Sequence, residues 1–112
     1  MDMLQSLLKL YDEGQDNVLL RFSLGNEYYK AGRYDEAEHH LRAALAHDPH
    51  YSVAWKILGR TLADAGRPLE AIGVFEQGIE VAEARGDIQA AKEMRVFLKR
   101  ARKAAEAGSD AG

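Results

Sequence analysis

Gly25 and Gly59 stand 34 residues apart, and so do Gly32 and Gly66, and Ala37 and Ala71. The stretches around them align: LGNEYYKAGRYDEAEHHLRAAL, then LGRTLADAGRPLEAIGVFEQGI. Self-similarity at a fixed period of this length marks one helical hairpin copied and stacked on itself. Such a stack works by presenting a surface, because the repeated unit brings no reactive constellation of its own.

The stack expected is all-α. Only two prolines occur, no β-rich alternating run is present, and Ala, Leu and Glu abound. At 112 residues the chain is the size of one domain. Six helices are predicted, over about residues 3–13, 17–31, 34–47, 52–65, 68–85 and 88–107. Asp2, Asn17 and Asp87 are the expected N-caps. Gly14, Gly32, Gly66 and Gly86 are the expected stops, and Asp48-Pro49 ends the third helix. Pro68 suits a first helical turn. Residues 108–112, GSDAG, are expected to form a flexible tail. Connections only a few residues long force successive helices to lie antiparallel and in contact.

The spacing has a mechanical meaning. Glycine at 25 and 59 and alanine at 37 and 71 let the two helices of a hairpin approach closely. Leu24, Tyr28 and Leu41 then fill the first crossing, and Leu58, Leu62 and Phe75 the second. Two units bury too little for a stable stack, so a helix at each end is expected to complete it. Shifted by one period, Leu7 falls with Leu41 and Phe75. The first helix therefore behaves as the second half of a unit whose first half is absent. Met3, Leu4, Leu8 and Tyr11 then form an apolar face that one neighbour leaves partly uncovered, a place for self-association or for docking into a larger complex.

Trp55, Leu58, Gly59, Leu62, Ala71 and Phe75, with Arg21, Leu24, Gly25, Tyr28, Ala37, Leu41, Ala44 and Pro49 one period earlier, resemble the signature of the tetratricopeptide-repeat (TPR) family. Arg21 stands where the signature has tryptophan, Leu62 where it has tyrosine, and Glu83 where the first unit has Pro49. The resemblance spans residues 18–51 and 52–85 as two units, preceded by the helix in 1–14 and followed by a capping helix in 86–107. It implies a TPR-like superhelical stack and a non-enzymatic scaffold or adaptor that binds a peptide or protein segment in its concave groove. The groove positions it implies are Leu19, Phe22, Asn26, Tyr29 and Lys30 in the first unit. Val53, Lys56, Arg60 and Asp64 follow in the second, and Ala90, Met94 and Phe97 in the capping helix. That mixture of aromatic, basic and amide groups suits an anionic peptide. Family members that clamp acidic chaperone tails use a lysine and two asparagines in successive units. Here Asn26 alone matches, with Phe22 and Ile57 at the other two places.

Other chemistries fit poorly. No cysteine is present, so disulfides and thiolate chemistry are excluded. A net charge of −3 argues against general nucleic-acid binding. Residues 1–11 lack the basic flank of a signal peptide, and no apolar run approaches membrane-spanning length. A soluble, cytoplasmic protein is expected. His39, His40, His47 and His50 do not converge at metal-ligand spacing, except for a weak grouping of His47, Asp48 and His50. No phosphate-loop, dinucleotide, zinc-protease or serine-hydrolase string occurs. No catalytic residue, cofactor or metal is expected. Arg85-Gly86-Asp87 reads as a helix stop followed by a cap. The basic amphipathic last helix reads as a lid on the stack rather than a membrane binder.

Overall fold

The computed structural model describes residues 2–111, with side chains described as far as residue 108. Six α-helices follow one another: α1 Met3–Asp12, α2 Val18–Lys30, α3 Tyr34–His47, α4 Ser52–Asp64, α5 Pro68–Arg85 and α6 Ile88–Ala111. Helix α6 continues past Gly108, where the sequence suggested a tail. The alanines at 104, 105 and 107 favour helix by more than one glycine opposes it. Gly112, the end of the expected tail, lies outside the described residues.

Local chemistry sets several boundaries. Asp2 caps α1 through a reciprocal box in which its carboxylate accepts from Gln5 N–H at 2.8 Å. The side chain of Asn17 accepts from Leu20 N–H at 2.9 Å. Asp87 accepts from Ala90 N–H at 3.2 Å and from the Ser52 hydroxyl at 2.7 Å, so one carboxylate caps α6 and ties it to α4. Between the helices of each unit the chain reverses at Gly32 (φ 75°) and Gly66 (φ 79°), one period apart. Both lie in the left-handed region that a side chain disfavours.

The units nest at glycine hollows. A methyl group at Gly25 would lie 2.5 Å from Leu41 Cγ, and one at Gly59 would overlap the ring of Phe75. Each hollow receives the large side chain one helical turn beyond the alanine, rather than the alanine itself. Ala37 and Ala71 are fully buried in the same crossings, where their small size brings the backbones close. A third hollow, at Gly78, faces Met94 Sδ and Trp55 Cβ and joins α5 to α6 and α4. Its signal was present in the repeat, since Gly78 lies one period after Ala44.

Curvature follows from which helices touch. Among the described residues the backbones of α2 and α4, and of α4 and α6, approach closely, whereas those of α3 and α5 do not. The row α2, α4, α6 is therefore the inner side of a bent slab measuring 47 × 33 × 20 Å. Helix α1 packs on α2 as α3 packs on α4, and α6 packs on α5 and α4. Each end helix thus takes the place of half a unit. Leu24, Leu41, Leu58, Leu62, Phe75 and Met94 are fully buried along the middle.

Candidate functional site

The inner side is built by residues three or four apart on three helices. Helix α2 contributes Phe22, Asn26 and Tyr29, α4 contributes Val53, Lys56, Arg60 and Asp64, and α6 contributes Glu93, Phe97 and Arg100. Side chains at these spacings share one helical face. Polar contacts then join the helices. Lys56 Nζ meets Glu93 Oε2 at 2.6 Å, and the Tyr29 hydroxyl donates to Asp64 Oδ2 at 2.6 Å. Partial burial, followed by the bond to Asp64, raises the Tyr29 phenol to about 12. The ammonium of Lys56, followed by the amide of Gln89, holds the Glu93 carboxyl below its usual range.

Arginine and aromatic rings alternate across this surface. The Arg60 guanidinium lies 5.4 Å from the Tyr29 ring centroid and 4.7 Å from that of Phe97. Arg100 lies on the same Phe97 ring at 5.6 Å. Such stacking fixes the plane of a guanidinium and leaves its N–H edge for a ligand. Beside this ladder is a half-open cavity of about 540 Å³ between the C-terminal halves of α4 and α6. Its lining includes the apolar Phe75, Phe97, Ala101 and Ala104 and the charged Arg60, Arg100 and Asp64. Its volume lies in the range of small-ligand and side-chain pockets.

The expected groove residues divide. Phe22, Asn26, Tyr29, Lys56 and Arg60 fall on the inner face. Phe22 packs against Tyr51 with ring centroids 5.4 Å apart. Together with Asn26, Met3 and Leu7 it lines a smaller cleft of about 190 Å³. Lys56 is committed to Glu93, and Lys30 to Glu27 on its own helix at 2.5 Å. Leu19 is 62% exposed and lines neither cavity.

Met94 is a correction, because it is completely buried against Gly78 instead of facing the groove. A strict 34-residue shift from Arg60 lands on Met94, but α5 has 18 residues where α3 has 14. The capping helix therefore starts late. A shift of 36 carries Ala54, Leu58 and Leu62 onto Ala90, Met94 and Leu98, all of them buried. Ala90, also expected in the groove, is corrected for the same reason. Phe97 and Arg100 occupy the surface instead. Arg100 and Glu93 were the α6 residues missed, since in sequence each is one charge among many on that helix.

The N-terminal face is also rearranged. Leu4, Leu8 and Tyr11 pack, half-buried, against the core, while Met3 is 60% exposed and Leu10 lies on the surface. Tyr11 covers the guanidinium of Arg21 at 4.5 Å. Arg21 is only 9% exposed and takes the place that Trp55 holds in the second unit. It donates to both oxygens of Asp16, at 2.8 and 3.1 Å, and to Nδ1 of His40 at 2.9 Å. Arginine has no acceptor, so His40 is neutral with its proton on Nε2. Burial first, then the charge of Arg21, depresses His40 to about 4. The Arg21 hydrogen bond holds Asp16 at about 2. His47 Nε2 lies 3.0 Å from Asp16 Oδ1, so it joins this cluster rather than a grouping with Asp48 and His50.

Comparisons with known proteins agree with this architecture. The tetratricopeptide repeat family profile matches residues 22–88. A TPR repeat-containing protein of Pseudomonas aeruginosa is 44% identical over 98 residues, which cover 88% of this chain and 93% of that protein. A solution structure of a Bordetella parapertussis protein superposes with a TM-score of 0.82 at 45% identity, covering 92% of this chain and 90% of the other. The crystal structure of a tetratricopeptide repeat domain protein from Salinibacter ruber gives 0.70 at 26% identity, covering 77% and 97%.

Proposed function

The chain belongs to the tetratricopeptide-repeat family, and from that premise we propose that its inner face, formed by α2, α4 and α6, binds a segment of another protein, so that the chain acts as a small scaffold or adaptor. Repeats of this family generally mediate protein–protein contacts. The observation that carries the proposal is the 540 Å³ cavity between α4 and α6. It offers aromatic and aliphatic walls to a side chain. Arg60 on one rim and the Phe22–Asn26 cleft farther across the face supply the polar and apolar contacts an extended or helical segment needs. Apolar anchors in pockets with a few fixed polar groups carry most of the energy in such contacts.

The test is selection of peptides from a displayed random library on the intact protein, followed by affinity measurements on variants. Phe22→Ala, Phe97→Ala and Arg60→Glu are each expected to weaken the selected peptides by about 10-fold or more. Glu80→Lys on the outer helix α5 is expected to change nothing. Selected peptides that lose affinity to Glu80→Lys and not to the inner-face variants would refute the proposal.

Self-association through α1 remains a second proposal, with a smaller surface than the sequence suggested. Leu4, Leu8 and Tyr11 turn toward the core, so a partner would meet Met3 and Leu10. Light scattering across a concentration series checks it, and a constant monomer mass would remove it.

A further inference from the structure

The guanidinium–aromatic ladder says more about what the inner face would hold. Arg60 and Arg100 both lie over one ring, Phe97, and both line the same largely apolar cavity. Every ion pair among the described residues uses some other cation. This contrasts with the rest of the inner face, where Lys56 is neutralised by Glu93 and Lys30 by Glu27. In a protein with three more acids than bases, two arginines that lie outside every ion pair among the described residues line this cavity.

We infer that this part of the inner face is a subsite for an acidic side chain next to a large apolar one in an internal peptide segment. The carboxylate would lie between the N–H edges of Arg60 and Arg100, with the apolar neighbour on Phe75, Phe97 and Ala101. This rests on the groove reading above and adds the class of ligand.

Charge selects the anion. Among the described residues lining the cavity, the carboxylate that accompanies the two guanidiniums is that of Asp64, which already accepts from Tyr29. The surplus is one positive charge, which matches a monoanionic carboxylate better than a doubly charged phosphate. Planar guanidiniums placed over an aromatic ring are suited to carboxylate oxygens, and the cation–π contact removes part of the ordering cost. The cavity is half-open, which leaves room for a chain that continues past it.

The experiment uses the intact, isotope-labelled protein and three hexapeptide or tetrapeptide probes followed by nuclear magnetic resonance. The first is acetyl-Ser-Gly-Glu-Phe-Gly-Ser-amide. In the second, glutamine replaces the glutamate. The third, acetyl-Ser-Gly-Gln-Phe, has its only carboxylate at the chain end. The first probe is expected to shift the Arg60 and Arg100 Nε–H signals and the Phe97 ring signals. It should bind at least about 10-fold more tightly than the second. Arg60→Met and Arg100→Met should each abolish most of that difference, and added salt should reduce it.

Equal affinity of the first two probes overturns the inference, as does the absence of any shift at Arg60 and Arg100. Tighter binding of the third probe overturns it in favour of a chain-end carboxylate. The comparison of probes holds even where a variant is destabilised. Shifts confined to Phe22 and Asn26 would reject this subsite while leaving the groove reading in place. The displayed-library selection tests that reading separately.

Discussion

Gly59 shows how a single position transmits sequence into shape. It lies inside α4, where glycine costs about 1 kcal/mol relative to alanine, yet its missing side chain is filled by the Phe75 ring. Gly59→Ala is therefore expected to destabilise by about 1–3 kcal/mol through overpacking. Gly73, in α5 with open space around it, is the control: Gly73→Ala is expected to stabilise by about 0.5–1 kcal/mol. Urea unfolding of the two variants checks the pair, and equal shifts would contradict the hollow. The existence of these hollows was legible in the repeat. Their true occupants, Leu41 and Phe75, were not, because spacing reports which residues recur and not which one reaches across.

Arg21 carries a different lesson at the same scale. In the sequence it was only a departure from a tryptophan, yet in the fold it anchors Asp16, His40 and Tyr11. The partners come from the loop before α2, from α3 and from α1, so no local pattern joins them. The cluster predicts a pH dependence. His40 is lowered in the fold from 6.5 to about 4, so the folded state binds fewer protons than the unfolded chain between those values. Its contribution, on the order of 2–3 kcal/mol, is complete above about pH 6.5 and is lost as pH falls toward 4. Asp16, held at about 2, extends the loss below its ordinary 3.8. The urea midpoint is expected to fall between pH 6.5 and 4, with a shallower slope in His40→Phe. A midpoint flat over that range would contradict a buried neutral imidazole.

The two end helices differ in how firmly they are held. Helix α1 has no fully buried residue, whereas α6 buries Ala91, Met94 and Ala101 almost completely. Segments with few buried contacts open first, so α1 amides are expected to exchange with solvent before those of α6. Met94→Ala is expected to cost about 2–5 kcal/mol, while Val96→Ala, on the exposed face of α6, should cost within about 0.5 kcal/mol. Similar losses for both would mean that α6 is not docked on the Gly78 hollow. Existence and order of all six helices were readable from periodicity, caps and glycines. The register of α6 was not, because the longer α5 breaks the period just before the capping helix begins. That one element explains both the misplacement of Met94 and the oversight of Arg100.

Across the whole molecule, the repeat and its signature residues foretold a curved slab, and the closer backbone approach along α2, α4 and α6 than between α3 and α5 gives the bend its direction. The chemistry of the inner side was only half legible. That Phe22, Asn26 and Tyr29 lie on one side of α2 and Arg60 on the matching side of α4 was readable from helical spacing and the repeat. The neutralisation of Lys56 and the ladder through Phe97 depend on how separate helices are set against each other, and no single-helix pattern encodes that. The absence of cysteine from the sequence allows a direct test of the inner face. Single cysteines are introduced as Ala104→Cys beside the cavity and as Glu80→Cys on the outer helix α5. Labelling by a maleimide is then timed with and without a library-selected peptide. The peptide is expected to slow labelling at position 104 several-fold and leave position 80 unchanged, whereas protection at 80 with none at 104 would contradict the concave face as the binding surface.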